Sequence, residues 1–142
     1  MGKQDKLYDA LYRRIYSHFG LSSCEMWIFY YLLLNENEMT QKDMSEQMAF
    51  PKQTINSAVS NLVKKGLLIL NESQVNRKNK ILHLTKEGKN IANQTARKLL
   101  EAECKATEKL GEEKTALYNQ VRETYYELLK EEFENDFLKE KN

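Results

Sequence analysis

The chain has 142 residues, of which 41% are hydrophobic and 30% are charged, and its formal net charge is +1. This length suits one domain with its own core, and the composition excludes a disordered chain. The longest apolar run, residues 26–34, is about half of the ~18 residues of a membrane span, and the N-terminal residues are polar, so we expect a cytoplasmic protein that does not contact a membrane.

Two cysteines and two histidines are spaced too widely to predict a metal site. Cys24 and Cys104 lie far apart in the chain, and His18 and His83 complete no cluster of ligands. We therefore expect neither a bound metal nor a cofactor.

The first two predicted helices are strongly apolar. Between about residues 5 and 19 apolar side chains recur every four positions, which predicts a helix with a wide apolar face. Gly20 ends this helix, and Ser22 or Ser23 caps a second helix that reaches about residue 35. The second helix is apolar on every side, so other helices must surround it.

Capping residues delimit the third and fourth predicted helices. Thr40 begins the third helix, and Asp43 follows three positions later as in a capping box. Pro51 suits the first turn of the fourth helix, where its missing N–H would be unpaired anyway. Gly66 stands where a left-handed C-cap is expected. Apolar residues at i, i+4 and i+7 place one side of the fourth helix in the core.

A hairpin and two further helices complete the predicted order. Short apolar runs at 67–70 and 81–84 flank a polar, basic segment, which predicts two strands with a basic tip. A helical pattern then continues without interruption, so we predict one long connecting helix over 86–110. The last helix covers about residues 112–138 and carries an apolar stripe among acidic residues.

Basic charge is concentrated in the middle of the chain. Residues 40–85 hold seven basic and three acidic side chains, whereas from residue 101 onward there are twelve acidic and seven basic ones. A local excess of basic charge is what binding to a phosphate backbone requires.

The polar side of the fourth helix consists mainly of short hydrogen-bonding residues, which are poor helix formers. A merely solvated face would favour residues such as Glu, Lys and Arg that pair along the helix, and this face contains no acid. Asn and Gln bond adenine edges, and Ser and Thr fit the major groove. We therefore favour DNA contact by Lys52, Gln53, Thr54, Asn56, Ser57, Ser60, Asn61 and Lys64.

At these segments the chain resembles the MarR family of transcriptional regulators, the multiple-antibiotic-resistance type. The resemblance covers nearly the whole chain and implies a mainly α (α+β) fold, a winged helix-turn-helix with a two-stranded wing. The segments that carry it are "LSSCEMWIF", "TQKDMSEQM", "PKQTINSAVSNLVKKGLL" and "HLTKEGK".

The resemblance also implies an organisation and a function. One MarR-like domain would cover residues 1–142, with dimerisation helices at 1–20 and 112–142, a winged core at 21–85 and the connecting helix at 86–110. Such a homodimer would bind a pseudo-palindromic operator in double-stranded DNA and repress nearby genes. An effector would change the distance between its two DNA-reading helices.

The wing departs from the family pattern. The family commonly has Asp-x-Arg-Asp-x-Arg there, and this chain has Ser73, Val75, Asn76 and Lys78 at the corresponding positions, so Arg77 would take over the minor-groove contact. Together with the fourth-helix residues, the candidate DNA contacts are Thr40, Gln41, Pro51, Arg77, Lys78 and Lys80.

Two further groups are candidate sensing residues. Aromatic side chains could line a pocket for a small aromatic or lipophilic effector, although plain core packing is the alternative; they are Tyr12, Tyr16, Trp27, Tyr30 and Tyr31. Cys24 is a candidate redox residue, because a helix N-terminus can lower the pKa of a thiol, and a buried inert cysteine is the alternative.

The sequence also bears on two other function classes, an enzyme and a protein-interaction module. The sequence has no phosphate-binding glycine loop and no nucleophile with a base, so we do not expect an enzyme. A winged-helix protein-interaction module without specific DNA binding is the alternative function, with the acidic last helix as its docking surface. The basic fourth helix favours DNA binding, because an interaction module would not need it.

Overall fold

A computed structural model of the chain describes residues 2–35, 39–72 and 79–138. It confirms a mainly helical fold with a two-stranded antiparallel sheet. The elements are α1 (Gly2–Phe19), α2 (Ser23–Leu34), α3 (Gln41–Met48), α4 (Lys52–Lys64), β1 (Leu68–Glu72), β2 (Lys80–Leu84), α5 (Lys86–Gln94), α6 (Ala96–Leu110) and α7 (Glu112–Asp136).

The chain divides into two compact units, residues 1–101 and 102–142. The organisation as one domain with its dimerisation helices at the two ends stays a prediction.

None of the helices in the described ranges is long and apolar enough to cross a membrane.

Helix α2 is the centre of the core of the first unit. Its Met26, Ile28 and Phe29 are fully buried, as expected for a helix that is apolar on every side. Each such side chain stabilises the fold by about 1.5–3 kcal/mol relative to exposure. Its N-terminus is closed by a capping box, in which Ser22 and Glu25 each accept the backbone N–H of the other. The predicted cap is confirmed.

Helices α3 and α4 form the helix-turn-helix. Thr40 and Asp43 make the predicted capping box at the start of α3. A left-handed residue, Ala49, ends this helix and allows the tight turn. Pro51 occupies the N-cap of α4 rather than its first turn, so that part of the prediction was wrong by one position. Its carbonyl still accepts the first helical hydrogen bond, from the N–H of Ile55.

The end of α4 is a two-bond motif around Gly66. The N–H of Gly66 donates to Val63 O, and the N–H of Leu67 donates to Leu62 O. This pattern needs a left-handed residue, and Gly66 has φ +73°. The predicted glycine C-cap is confirmed, and it turns the chain directly into β1.

The wing is a regular antiparallel pair. Leu68 pairs with Leu84 at its base, and Glu72 pairs with Lys80 at the last described position. Leu68 and Leu82 are buried, so the base of the hairpin belongs to the core. The wing tip, which includes the candidate contacts Arg77 and Lys78, lies outside the described residues.

A close approach joins the base of the wing to α5. Thr85 Oγ1 donates to Gly66 O at 2.6 Å and accepts the N–H of Gly88 at 3.0 Å. The N–H of Thr85 donates to Leu67 O. A Cβ on Gly88 would lie 1.9 Å from Leu67 O, so this position has no room for a side chain. The junction explains physically why "LTKEG" follows the hairpin.

The prediction of one continuous helix over 86–110 was wrong, because α5 ends at Gln94 and α6 begins at Ala96. Thr95 between them has φ −124° and ψ −82°, which is not helical. Its hydroxyl donates to Ile91 O at 2.7 Å and replaces the missing backbone bond. Apolar residues keep their helical spacing across the break, so the pattern does not reveal it.

Helix α7 has no buried residue along its 25 positions. Its apolar stripe is exposed in the single chain at Leu117, Val121, Tyr125, Leu128 and Phe133. Helix α1 likewise exposes Leu7, Tyr8 and Leu11. Exposed apolar stripes of this kind are typical of surfaces that bind another protein chain.

Candidate nucleic-acid interface

Helix α4 separates its core side from a polar side. Ile55, Val59 and Leu62 are buried. The opposite side is solvent-exposed and contains no acidic residue, so the fold presents the predicted candidates together. The exposed residues are Lys52, Gln53, Thr54, Asn56, Ser57, Ser60, Asn61 and Lys64.

Asn61 lies at the edge of this polar side and faces another helix. Its Nδ2 donates to Glu25 Oε2 of α2 at 3.3 Å. The same carboxylate oxygen lies 3.8 Å from Nζ of Lys65. The Asn61 amide therefore links α4 to α2, while its oxygen and second N–H leave the predicted base contact as a prediction.

A hydrogen bond connects the starts of α3 and α4. Gln41 Nε2 donates to Asn56 Oδ1 at 2.5 Å on the exposed surface. Asn56 retains its own N–H groups and a second lone pair on Oδ1, so its amide can still form hydrogen bonds with the edge of a base while it is bonded to Gln41. Thr40 is half-buried, and its hydroxyl accepts the N–H of Asp43, which leaves only the hydroxyl hydrogen for a phosphate oxygen.

The described lysines extend the basic character of the surface. Lys52 and Lys64 are exposed near the two ends of α4, and Lys80 is exposed at the start of β2. Phosphate contacts need such flexible cationic side chains rather than fixed geometry.

An open groove between α1 and the start of α2 contains part of the aromatic set. Its volume is about 640 Å³, and its lining includes Tyr12, Tyr16 and Trp27. Trp27 Nε1 donates to the hydroxyl of Tyr16 at 2.9 Å, which fixes both rings. Asp9 and Arg13 add one charge of each sign to the lining.

The other two aromatic candidates, Tyr30 and Tyr31, lie beside this groove, and their role at an effector site stays a prediction. Tyr30 and Tyr31 do not line this groove. Tyr30 packs edge-on against Trp27 with ring centroids 4.9 Å apart, and the rings of Tyr30 and Tyr31 are 5.6 Å apart. Both side chains are partly buried and pack against the hydrophobic core, as Tyr12, Tyr16 and Trp27 also do.

The environment of Cys24 contradicts a reactive thiolate. The side chain is only 4% exposed, and its Sγ lies 3.9 Å from Thr54 O. Burial, and secondarily the neighbouring charge of Glu25, raise the pKa of this thiol to about 11. The burial and the raised pKa favour the alternative of a buried, inert core cysteine over the redox role, which stays untested.

We expect Cys24 to resist modification in the folded protein. At pH 7.5 the thiol is protonated because its pKa lies well above that pH. With iodoacetamide, peptide mapping should find the exposed Cys104 alkylated and Cys24 unmodified until the protein is unfolded in urea. Cys104→Ser is the control that removes the fast site. Alkylation of native Cys24 as fast as that of Cys104 would contradict this account.

Glu25 is a functional candidate that the sequence did not suggest. Its place three positions after Ser22 fits a capping box, and this spacing is the sequence feature that could have indicated a structural role for Glu25. The contact of its second carboxylate oxygen with α4 depends on the packing of two helices. Sequence spacing carries no information on that contact.

Comparisons with known proteins agree with this geometry. The family model described as sugar-specific transcriptional regulator TrmB matches residues 16–85. No curated protein matches the sequence. Among solved structures, NMB1585, a MarR family regulator from Neisseria meningitidis, is similar with a TM-score of 0.82 and 21% identity, over 95% of this chain and 94% of that chain.

Two other similar structures were solved as complexes. The PcaV transcriptional regulator from Streptomyces coelicolor, with its natural ligand, has a TM-score of 0.67 and 16% identity over 89% of this chain and 91% of that chain. FabT from Streptococcus pneumoniae, with DNA, has a TM-score of 0.64 and 21% identity over 90% of this chain and 92% of that chain. The resemblance to MarR-family regulators is confirmed in fold, and the matched regulator families are not enzymes.

Proposed function

We propose that this chain, with the winged helix-turn-helix fold of MarR-family regulators, is a sequence-specific DNA-binding transcriptional regulator. The observation that carries the proposal is the acid-free polar side of α4, exposed opposite a buried apolar side. An α-helix of this width fits the major groove. The similar FabT structure was solved in complex with DNA, which supports the same use of this fold. DNA in the cytoplasm would be its target.

Within this proposal the exposed residues of α4 divide by chemistry. Gln53 and Asn56 have amide groups that bond two atoms of one base, so they would read sequence. Lys52, Lys64 and Lys80 would neutralise phosphates and supply affinity on any sequence. Five further candidates would make single hydrogen bonds to bases or to the DNA backbone; they are Thr40, Gln41, Thr54, Ser57 and Ser60. Pro51 would make van der Waals contact only.

We propose further that the chain works as a homodimer. The apolar stripes of α1 and α7 are exposed, and a second copy would bury them. A two-fold dimer places two reading helices in successive major grooves, about 34–36 Å apart. Such a spacing requires a pseudo-palindromic operator.

Sedimentation is expected to show a dimer at micromolar concentration. Val121→Glu places a charge in the apolar stripe of α7 and should produce a monomer, because an unpaired charge in a buried interface is costly. Asn119→Glu adds the same charge on the other side of α7 and should leave the dimer intact. A monodisperse wild-type monomer, or a Val121→Glu dimer as stable as wild type, would contradict the proposed interface.

The groove lined by Tyr12, Tyr16 and Trp27 is the proposed effector site. Its aromatic walls suit a flat apolar ring, and the Arg13 guanidinium suits an anionic substituent, so a small aromatic acid matches the lining. The similar PcaV structure was solved with its natural ligand. Repression that is relieved when the groove is filled is the regulation we propose.

A salt titration tests the proposed function. Three lysine contacts from each protomer give about six neutralised phosphates, for which affinity should fall about 10³-fold between 50 and 200 mM salt. Fluorescence anisotropy with a labelled duplex measures this slope. A protein-interaction module that does not bind DNA would show no such slope, and the comparison of preferred with random duplexes tests the sequence specificity.

A further inference from the structure

The buried carboxylate of Glu25 contacts two helices at once. The residue is 7% exposed. Its Oε1 accepts the N–H of Ser22 at 3.0 Å within the α2 cap. Its Oε2 accepts from Asn61 Nδ2 at 3.3 Å and lies 3.8 Å from Lys65 Nζ, both near the end of α4. A charge this buried is costly unless it is paired, and here both oxygens have partners.

These contacts differ in kind from the apolar packing beneath α4. Ile55, Val59 and Leu62 hold the helix against the core, and the hydrophobic effect behind these contacts has no preferred direction. The hydrogen bond between Asn61 and Glu25 is directional. It therefore restricts the rotation of α4 about its own axis, which decides how Gln53 and Asn56 face outward.

We propose that Glu25 is a positioning residue for DNA reading and acts through Asn61 and Lys65. This inference rests on the proposed function. Base-edge hydrogen bonds need donor and acceptor within about 2.7–3.2 Å, so a small rotation of α4 costs specific contacts. Phosphate contacts by flexible lysines tolerate the same rotation.

Positioning and simple electrostatics predict opposite results for Glu25→Gln. The substitution removes a negative charge near a DNA-binding helix, so electrostatics alone would tighten binding to every sequence. The glutamine oxygen can still accept the N–H of Ser22, which preserves the cap. The amide nitrogen cannot accept from Asn61 or Lys65, and Asn61 can pair with it only by turning its own amide round, which replaces the charge-assisted contact with a neutral one of different orientation. Positioning therefore predicts weaker binding to the preferred sequence only.

The experiment compares affinities for two duplexes, the sequence that wild type selects from a random pool and a shuffled duplex of equal composition. We expect Glu25→Gln to lower the preference for the selected duplex about tenfold, a coupling of ordinary size for contacting residues. Binding to the shuffled duplex should be unchanged or tighter. Glu46→Gln removes the same charge at an exposed position of α3 and should preserve the preference.

A double-mutant cycle tests the route through Asn61. Asn61→Ala should reproduce the loss, and the double variant should be no weaker than the worse single variant, because both substitutions break one contact. Thermal unfolding by circular dichroism checks the fold. If Glu25→Gln does not fold, Glu25→Asp takes its place in the cycle, because it keeps the charge and a capping carboxylate while its shorter side chain withdraws from Asn61.

An unchanged preference in Glu25→Gln or Asn61→Ala would overturn the positioning role, and fully additive losses would overturn the route through Asn61. A wild-type chain without any sequence preference would instead overturn the proposed function and this inference with it. These results are distinguishable because wild type is measured on both duplexes first.

Discussion

Gly88→Ala is expected to lower the free energy of unfolding by about 3 kcal/mol, the upper part of the range for inserting a methyl group where there is no space. The added Cβ would lie 1.9 Å from the carbonyl oxygen of Leu67, a backbone atom that no side-chain rotation can move away. Leu67 O also accepts the N–H of Thr85, so a shift at Leu67 would break the junction between the wing and α5.

Urea unfolding followed by circular dichroism measures this loss. Gly2→Ala is a matched control, since it is the same substitution on a helix, and a Cβ there meets no atom within 4 Å. It should be neutral or slightly stabilising because alanine is the better helix former. A Gly88→Ala protein as stable as wild type would show that the close approach to Leu67 is not required by the fold.

Asn56→Ala or Gln53→Ala is expected to weaken binding to the preferred operator by about 1–3 kcal/mol per half-site, the contribution of one bidentate base contact. Both side chains are exposed on α4, and Asn56 is oriented by its hydrogen bond from Gln41. Binding to random DNA should stay nearly unchanged, because it depends on phosphate contacts.

Competition titrations with specific and random duplexes measure the two affinities. Lys64→Ala is the contrasting variant, which should weaken both affinities alike and reduce the salt slope by about two, one for each protomer of the dimer. Asn90→Ala, at an exposed position of α5, should change neither affinity. Equal losses on both duplexes for Asn56→Ala and Gln53→Ala would exclude base reading at these positions.

Local signals made much of the first unit predictable. The capping box of Thr40 and Asp43 and the left-handed Gly66 after α4 are local features. Both are found at the positions predicted from the residue types. The apolar spacing of Ile55, Val59 and Leu62 likewise separated the buried from the exposed side of α4. Such features depend on neighbours within a few positions, so sequence alone determines them.

Features that depend on contacts between distant residues were not predictable in the same way. The break at Thr95 preserves helical spacing, and the anchoring of Asn61 depends on a carboxylate 36 positions away. Cys24 lies at a helix start that suggests a reactive thiol, but burial has the larger effect on its pKa. In each case tertiary packing overrides a correct local expectation.

Selection of bound duplexes from a random pool by the purified chain tests the central claim most directly. The account predicts enrichment of two inverted half-sites whose centres are about 10–10.5 base pairs apart, as expected for a two-fold dimer with one α4 in each major groove. A pool that stays random through successive rounds would contradict the claim that this protein reads DNA sequence.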